Sequence, residues 1–335
     1  MKIGIHKGKG YSKHWIAYCE DKGIPFKVVD CYRSDIVQQL SDCDALMWHY
    51  RHDDYRDMLF AKQLIFSLEA AGKKVFPNSN TCWHFDDKVG QKYLLEAIGA
   101  PLVPSYVFYD KAPALKWIEE TSFPKVFKLR GGAASANVKL VKSKKHARKL
   151  VRQAFGKGFP QFDRIENLKE RLRKYREGKD SFLGLLKGFG RLFIPTEFAR
   201  MRNNEKGYVY FQQFVPDCKF DIRVQMVGNL SYAMVRKVRN NDFRASGGGN
   251  IDYDGSTVPK SAIAIAQHIQ KVLKMQTMAI DLLPYGDSYK IAEISYAFGI
   301  DEGELDFGYW DSTITWNPGK INPFGWMVEL IVNSK

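Results

Sequence analysis

The chain has 335 residues, 45% hydrophobic and 26% charged, with 51 Lys/Arg against 37 Asp/Glu and a formal charge of +14. That is the make-up of a globular protein with material for two or three packed domains. It excludes three classes: no apolar run is long enough to span a bilayer, Met1-Lys2-Ile3-Gly4-Ile5-His6 lacks the apolar core of a signal peptide, and five scattered cysteines with no CxxC pair give no disulfide or zinc framework. A reducing cytoplasm is the expected setting.

The first 80 residues alternate strand and helix signals. Strands are expected at Lys2–His6, Pro25–Asp30, Ala45–Trp48 and Lys74–Phe76. Helices are expected at Ser12–Lys22, stopped by Gly23, at Asp35–Gln39, and at Arg56–Ala71, stopped by Gly72. This alternation predicts a parallel sheet covered on both faces. A helix over Asp86–Ile98 opens the next unit, followed by a strand at Ser105–Tyr109, a helix near Pro113–Glu120, and strand, glycine-rich turn, strand over Phe123–Val141. Residues 142–200 hold 17 Lys/Arg against 6 Asp/Glu, a local excess of +11. Strands from Gly207 to Arg239 follow, then a Gly/Asn-rich loop, a helix over Ser261–Lys274, a hairpin, and a turn-rich stretch closing in a short helix.

That hairpin is the most informative segment. Met278–Leu283 and Tyr289–Ile294 are strand-like, joined by Pro284-Tyr285-Gly286-Asp287, and they carry Asp281 and Glu293 among apolar neighbours. Buried carboxylates are costly unless paired or bound to metal. Two on adjacent strands fit a Mg²⁺ site, and they also fit two structural salt bridges.

Three further segments bear on chemistry. Lys128 ends a strand and is followed by Gly131-Gly132-Ala133-Ala134-Ser135-Ala136-Asn137, whose small residues let backbone N–H groups approach phosphate, though such a run also serves as a plain turn. It is not a Walker A loop, since GKS/T is absent. Asp221 and Arg223 share one face of a strand that follows Tyr208–Val215. Arg236 ends the next strand, and Arg244 precedes Gly247-Gly248-Gly249-Asn250, where arginines suit phosphate or carboxylate recognition. A solvated hairpin loop reads the same way.

In order, these segments resemble the ATP-grasp superfamily, in the branch of the ribosomal-protein-modifying glutamate ligase and glutathione synthetase. The resemblance runs from about Phe76 to Phe298, interrupted by the basic block. It implies an α/β fold: an N-terminal parallel-sheet (pre-ATP-grasp) domain over 1–80, a first α+β subdomain with the glycine-rich loop over 81–141, a basic helical insertion over 142–206, and a second α+β subdomain over 207–335. It places Lys88, Lys128, Gly131, Gly132 and Ser135 at the phosphates, and Gln212, Gln213, Phe214 and Val215 at the adenine. Asp221 belongs to the same nucleotide set. Arg223, Arg236 and Arg244 become the catalytic arginines. Asp281, Glu293 and Ser295 become ligands of Mg²⁺, with Mn²⁺ as a substitute.

The implied reaction turns a carboxylate into an acyl phosphate with ATP and lets an amine attack it, giving an amide, ADP and phosphate. Donor carboxylate and acceptor amine are the implied partners, and a dimer or tetramer the implied assembly. The chain departs from the family at Gln213, usually glutamate, at Ser295, usually asparagine, and in its tail, where Asp301, Glu302, Glu304 and Asp306 could bind an amine substrate but read first as surface residues.

The basic block lies outside the resemblance. Phe162, Ile165, Leu168, Leu172 and Tyr175 fall at helical spacing between cations, and Ser181–Pro195 is apolar with single cations. Packing in a helical insertion accounts for this. So does an anionic or lipid-linked acceptor, or a membrane surface, which would place the protein peripherally at the inner membrane face. Two other functions stay open: a phosphotransferase acting on a hydroxyl, and a non-catalytic binder of polyanions. The missing RNP-like motifs and zinc knuckles count against nucleic acid. His6, Lys7, Lys9 and Tyr11 follow the first strand, where α/β sheets bind ligands, and read equally as a solvated loop.

Overall fold

The structure is a computed structural model. It describes residues 1–132, 137–160, 168–169, 171–173, 175, 181–193, 200–201, 203–238, 242–245 and 250–334.

Three sheets organise these residues. The first is parallel, ordered β2-β1-β3-β4, from β1 (Ile3–His6), β2 (Phe26–Val29), β3 (Ala45–Met47) and β4 (Lys74–Phe76). β1 and β3 are buried throughout, as expected of strands covered on both faces. The intervening helices are α1 (Ser12–Lys22), the single turn α2 (Ile36–Gln39) and α3 (Tyr55–Ala70). α1 ends at Gly23 in the left-handed region with φ 62°, as its sequence predicts, while Asp54 caps α3 by accepting from the Arg56 N–H.

The second sheet is antiparallel, ordered β5-β8-β6-β7, from β5 (Ser105–Phe108), β6 (Lys125–Lys128), β7 (Val138–Val141) and β8 (Val209–Gln213). It follows α4 (Ser79–Cys82) and α5 (Lys88–Ala97), and carries α6 (Lys111–Glu120) and α7 (Lys144–Ala154) on one face. Two elements sit here that the sequence assigns elsewhere. α7 begins the basic block, yet Ala147, Leu150, Val151 and Ala154 pack against Phe127 and Phe211 in this core. β8 lies far along the chain, yet pairs with both β5 and β6. α8 (Phe182–Phe193) is the long helix of the remaining basic block.

The third sheet has seven strands, ordered β13-β12-β9-β10-β14-β15 with β11 on β10. They are β9 (Phe220–Val227), β10 (Leu230–Lys237), β11 (Ile251–Asp252), β12 (Thr277–Tyr285), β13 (Ser288–Ser295), β14 (Gly308–Trp310) and β15 (Trp316–Pro318). α9 (Lys260–Leu273) buries Ala262, Ile263, Ala266 and Ile269 in its core, and α10 (Pro323–Asn333) packs on α1. The first and third sheets share one core: Trp48, Tyr50 and Phe85 meet Tyr296 and Ile280. Gln276 ties them further, its backbone N–H donating to Thr81 Oγ1 at 2.7 Å and its side chain to the Val75 carbonyl at 2.9 Å. The site described next therefore has a rigid floor.

Candidate active site

A cleft of about 400 Å³ opens between the second and third sheets. Its floor is β9, β10, β12 and β13. Asp281 on β12 stands directly opposite Glu293 on β13 and opposite Arg223 on β9. Directly opposed residues on neighbouring strands present their side chains to the same face, so this register brings the three together.

Arg223 donates Nε to Asp281 Oδ1 at 2.8 Å and Nη2 to Oδ2 at 2.9 Å. Arg236 donates to both Asp221 oxygens at 2.7 Å, and its Nη2 lies 2.9 Å from Asp281 Oδ2. Asp221, Arg236, Asp281 and Arg223 thus form a continuous charged row, with Asp221 and Arg236 buried. Burial pushes the Asp281 carboxyl up, but Arg223 and Arg236 outweigh it and hold Asp281 well below the usual carboxylate range.

Two lysines face this row. Lys88, the first residue of α5, is buried. Its Nζ lies 3.2 Å from Glu293 Oε1 and donates to the Gly132 carbonyl at 2.7 Å. Lys128 ends β6 and is 8% exposed; burial brings its ammonium down to about 8, with Glu293 acting in the opposite sense. A buried lysine in this position binds anions strongly, because little water competes.

The linker after β8 forms one wall. Gln212, Gln213, Phe214 and Val215 all line the cleft. The Gln212 side chain donates to Ser105 Oγ at 3.2 Å, and Gln213 Oε1 accepts from Lys125 Nζ at 2.5 Å. Phe243 stands edge-on to Phe214 with ring centroids 6.3 Å apart. Arg244 also lines the cleft and is held by Asp242 at 2.8–3.0 Å.

Most residues singled out in the sequence therefore meet in one place: Lys88, Lys128, Gly132, Gln212, Gln213, Phe214, Val215, Asp221, Arg223, Arg236, Arg244, Asp281, Glu293 and Ser295 all line the cleft. Gly131 borders a smaller neighbouring pocket of about 130 Å³, and Ser135 lies outside the described residues. Asp86 was not singled out. It accepts from the Gly132 N–H at 2.6 Å and pins the start of the glycine-rich turn; its φ of 53°, rare outside glycine, is the one local oddity, and the Asp-Asp-Lys run gives no hint of it. Glu304 is a correction. Read as a surface acid, it is buried, accepting from Gln225 Nε2 at 2.5 Å and from the Asp301 N–H at 3.0 Å.

The donor set suits a hard cation. Among the described residues, Asp281 uses three of its four lone-pair directions on arginine N–H groups, Glu293 Oε1 meets only Lys88, and Ser295 Oγ donates to the Ala297 carbonyl at 2.7 Å and accepts no hydrogen bond. No group of three or more His, Cys, Asp or Glu side chains clusters among the described residues. Two carboxylates are the number Mg²⁺ commonly takes from protein when phosphates supply other oxygens.

No family model matches the sequence, and no curated protein matches it. Solved structures do. A RimK domain protein ATP-grasp from Sphaerobacter thermophilus is similar with a TM-score of 0.59 at 14% identity, covering 99% of this chain and 100% of that one. The N5-carboxyaminoimidazole ribonucleotide synthetase from Thermotoga maritima gives 0.60 at 16%, covering 99% and 76%. The D-alanine–D-alanine ligase from Bacillus anthracis gives 0.58 at 12%, covering 99% and 96%. The chain has the ATP-grasp fold.

Proposed function

We propose that this ATP-grasp chain is an ATP-dependent carboxylate–amine ligase. One observation carries the reading: Asp281 and Glu293 stand opposite each other on β12 and β13, facing Lys88 and Lys128 within one cleft. Two cations for phosphates and two carboxylates for a cation are what a nucleotide triphosphate needs. Two of the similar solved structures, a D-alanine–D-alanine ligase and an N5-carboxyaminoimidazole ribonucleotide synthetase, support the same class.

Lys88 and Lys128 hold the phosphates as point charges, and the Gly131-Gly132 turn offers backbone N–H groups. Gln212, Gln213, Phe214 and Val215 form the adenine wall. Asp281 and Glu293, with Ser295 beside them, would hold Mg²⁺, which supplies charge neutralisation at the phosphates. The donor carboxylate attacks the γ-phosphorus, the bond to the ADP oxygen breaks, and an acyl phosphate forms. The amine nitrogen then attacks the acyl carbon, loses its proton, and inorganic phosphate leaves. Arg223, Arg236 and Arg244 lie where they can position the donor and stabilise the transferring phosphoryl group. Lys88, Lys128 and Arg236 are buried at the cleft wall, where their charges act with little competition from water. The basicity of residues 142–200 favours an acceptor on an anionic or lipid-linked carrier.

The test is ADP release from Mg-ATP with a panel of amino acids and simple carboxylates, with hydroxylamine as surrogate amine. ADP together with a hydroxamate from one donor supports the ligase. ADP with a phosphoester product replaces it by a phosphotransferase. ATP binding without turnover under any donor, together with salt-dependent polyanion binding, replaces it by a binder.

A further inference from the structure

α8 is inside out. At about 100° per residue, Gly184 and Gly188 lie on one side of the helix, and Leu183, Leu186 and Phe189 lie on the other. The glycine side is the buried one. Arg171 Nη1 donates to the Gly184 carbonyl at 2.8 Å, and a Cβ on Gly188 would fall 2.8 Å from Arg171 Cδ and 3.3 Å from Leu168 Cδ1. A side chain at position 188 would press on those two side chains, which would have to shift. Three large apolar side chains lie outside: Leu183 is 67% exposed, Leu186 48% and Phe189 49%. Three large apolar residues on one exposed side are more than a helix facing only water needs.

We propose that α8 lies in the plane of an anionic lipid surface, with Leu183, Leu186 and Phe189 entering the boundary between headgroups and acyl chains. Charge selects this occupant. The segment 142–200 that contains α8 has an excess of +11, so two copies of this segment would repel each other, while anionic headgroups would attract it. Lys142, Lys145, Lys149 and Arg152 are exposed, and no ion pair among the described residues involves them. Nucleic acid would satisfy the cations but leave the three apolar side chains in water. No described helix is long and apolar enough to cross a membrane, which leaves an in-plane placement. This inference does not depend on the ligase reading, and the hydroxamate assay above is read separately from it.

The experiment is co-sedimentation of the full chain with phosphatidylglycerol vesicles and with phosphatidylcholine vesicles. Binding is expected to the first and not to the second. Replacing Leu183, Leu186 and Phe189 together by serine is expected to weaken it about tenfold or more, with an unchanged melting temperature because none of the three packs inward. Phe189→Ser alone, which perturbs the helix less, is expected to weaken it severalfold. Three results would overturn the proposal: no sedimentation with phosphatidylglycerol, equal sedimentation of the serine variants, or a dimer of the native chain that the serine variants lose.

Discussion

Arg223 grips Asp281 through two parallel hydrogen bonds, and the pair sits on neighbouring strands in direct register. Glu293 differs: its side chain is 35% exposed and, among the described residues, meets only Lys88, against 16% for Asp281 with two arginines. The two carboxylates should therefore separate in mutation. Asp281→Asn leaves Arg223 and buried Arg236 short of negative charge and is expected to cost about 3–5 kcal/mol of stability as well as activity. Glu293→Gln is expected to lower kcat by about a hundredfold or more while costing under about 1 kcal/mol. Urea unfolding beside ADP release checks both; equal stability losses would show that the charged row is not what holds Asp281.

Lys128 gives a pH signature. Burial lowers its ammonium from the usual 10.5 to about 8. Phosphate binding needs the charged form, so kcat/KM for ATP is expected to fall as pH rises through about 8, approaching tenfold per pH unit. Stability moves the other way. Below about 8 the lysine is charged both folded and unfolded, and the folded chain carries the desolvation cost; between about 8 and 10.5 that cost is relieved as the folded lysine loses its proton. Lys128→Met is expected to weaken ATP binding about 10–100-fold without loss of stability at pH 7. A flat pH profile for ATP, measured by initial rates, would remove Lys128 from the phosphate site.

The carboxylate hairpin, the helix stop at Gly23 and the strand end at Lys128 were legible because each is local: a turn, a cap, an apolar run broken by charge. The whole charged row except its geometry could be named in advance. What stayed hidden depends on partners distant in sequence. β8 pairs with β5 and β6 across about a hundred residues, which no local pattern encodes. Glu304 sits in a run of acids that reads as solvated, and only its contact with Gln225, 79 positions away, shows why it is buried. α7 reads as part of a basic block because its exposed face is cationic; its alanines and leucine, at helical spacing, are what fix it to the core.

Gln213 offers a test of how this cleft departs from its relatives by resemblance. Its side-chain oxygen accepts from Lys125, a buried lysine that burial holds below its usual range. Gln213→Glu replaces a neutral acceptor with a charged one, and charge-assisted bonds are the stronger class. A gain of about 1 kcal/mol is expected near pH 7. The new carboxylate should fall below its usual range, so the gain is present above that range and is lost as pH falls through the shifted value. Since the side chain faces Lys125, KM for ATP is expected to change by less than about threefold. A larger change would mean that the side chain at position 213, and not its backbone alone, contacts the nucleotide.

Glu304 supplies the opposite pH signature to Lys128. Burial brings its carboxyl up from 4.5 to about 7, even though the Asp301 N–H and Gln225 favour the anion. A raised carboxyl binds its proton more tightly when folded, so its contribution is fully present below about 4.5 and is lost as pH rises through about 7. Glu304→Gln keeps the shape, keeps an oxygen for the Asp301 N–H, and has no proton to lose. It is expected to abolish that part of the fall in melting temperature between pH 5 and 8 and to raise the melting temperature by a few degrees at pH 8. If the variant melts lower than the native chain at both pH values, the carboxylate bond to Gln225 outweighs the cost of burying the charge, and Glu304 is ionised in the folded protein at neutral pH.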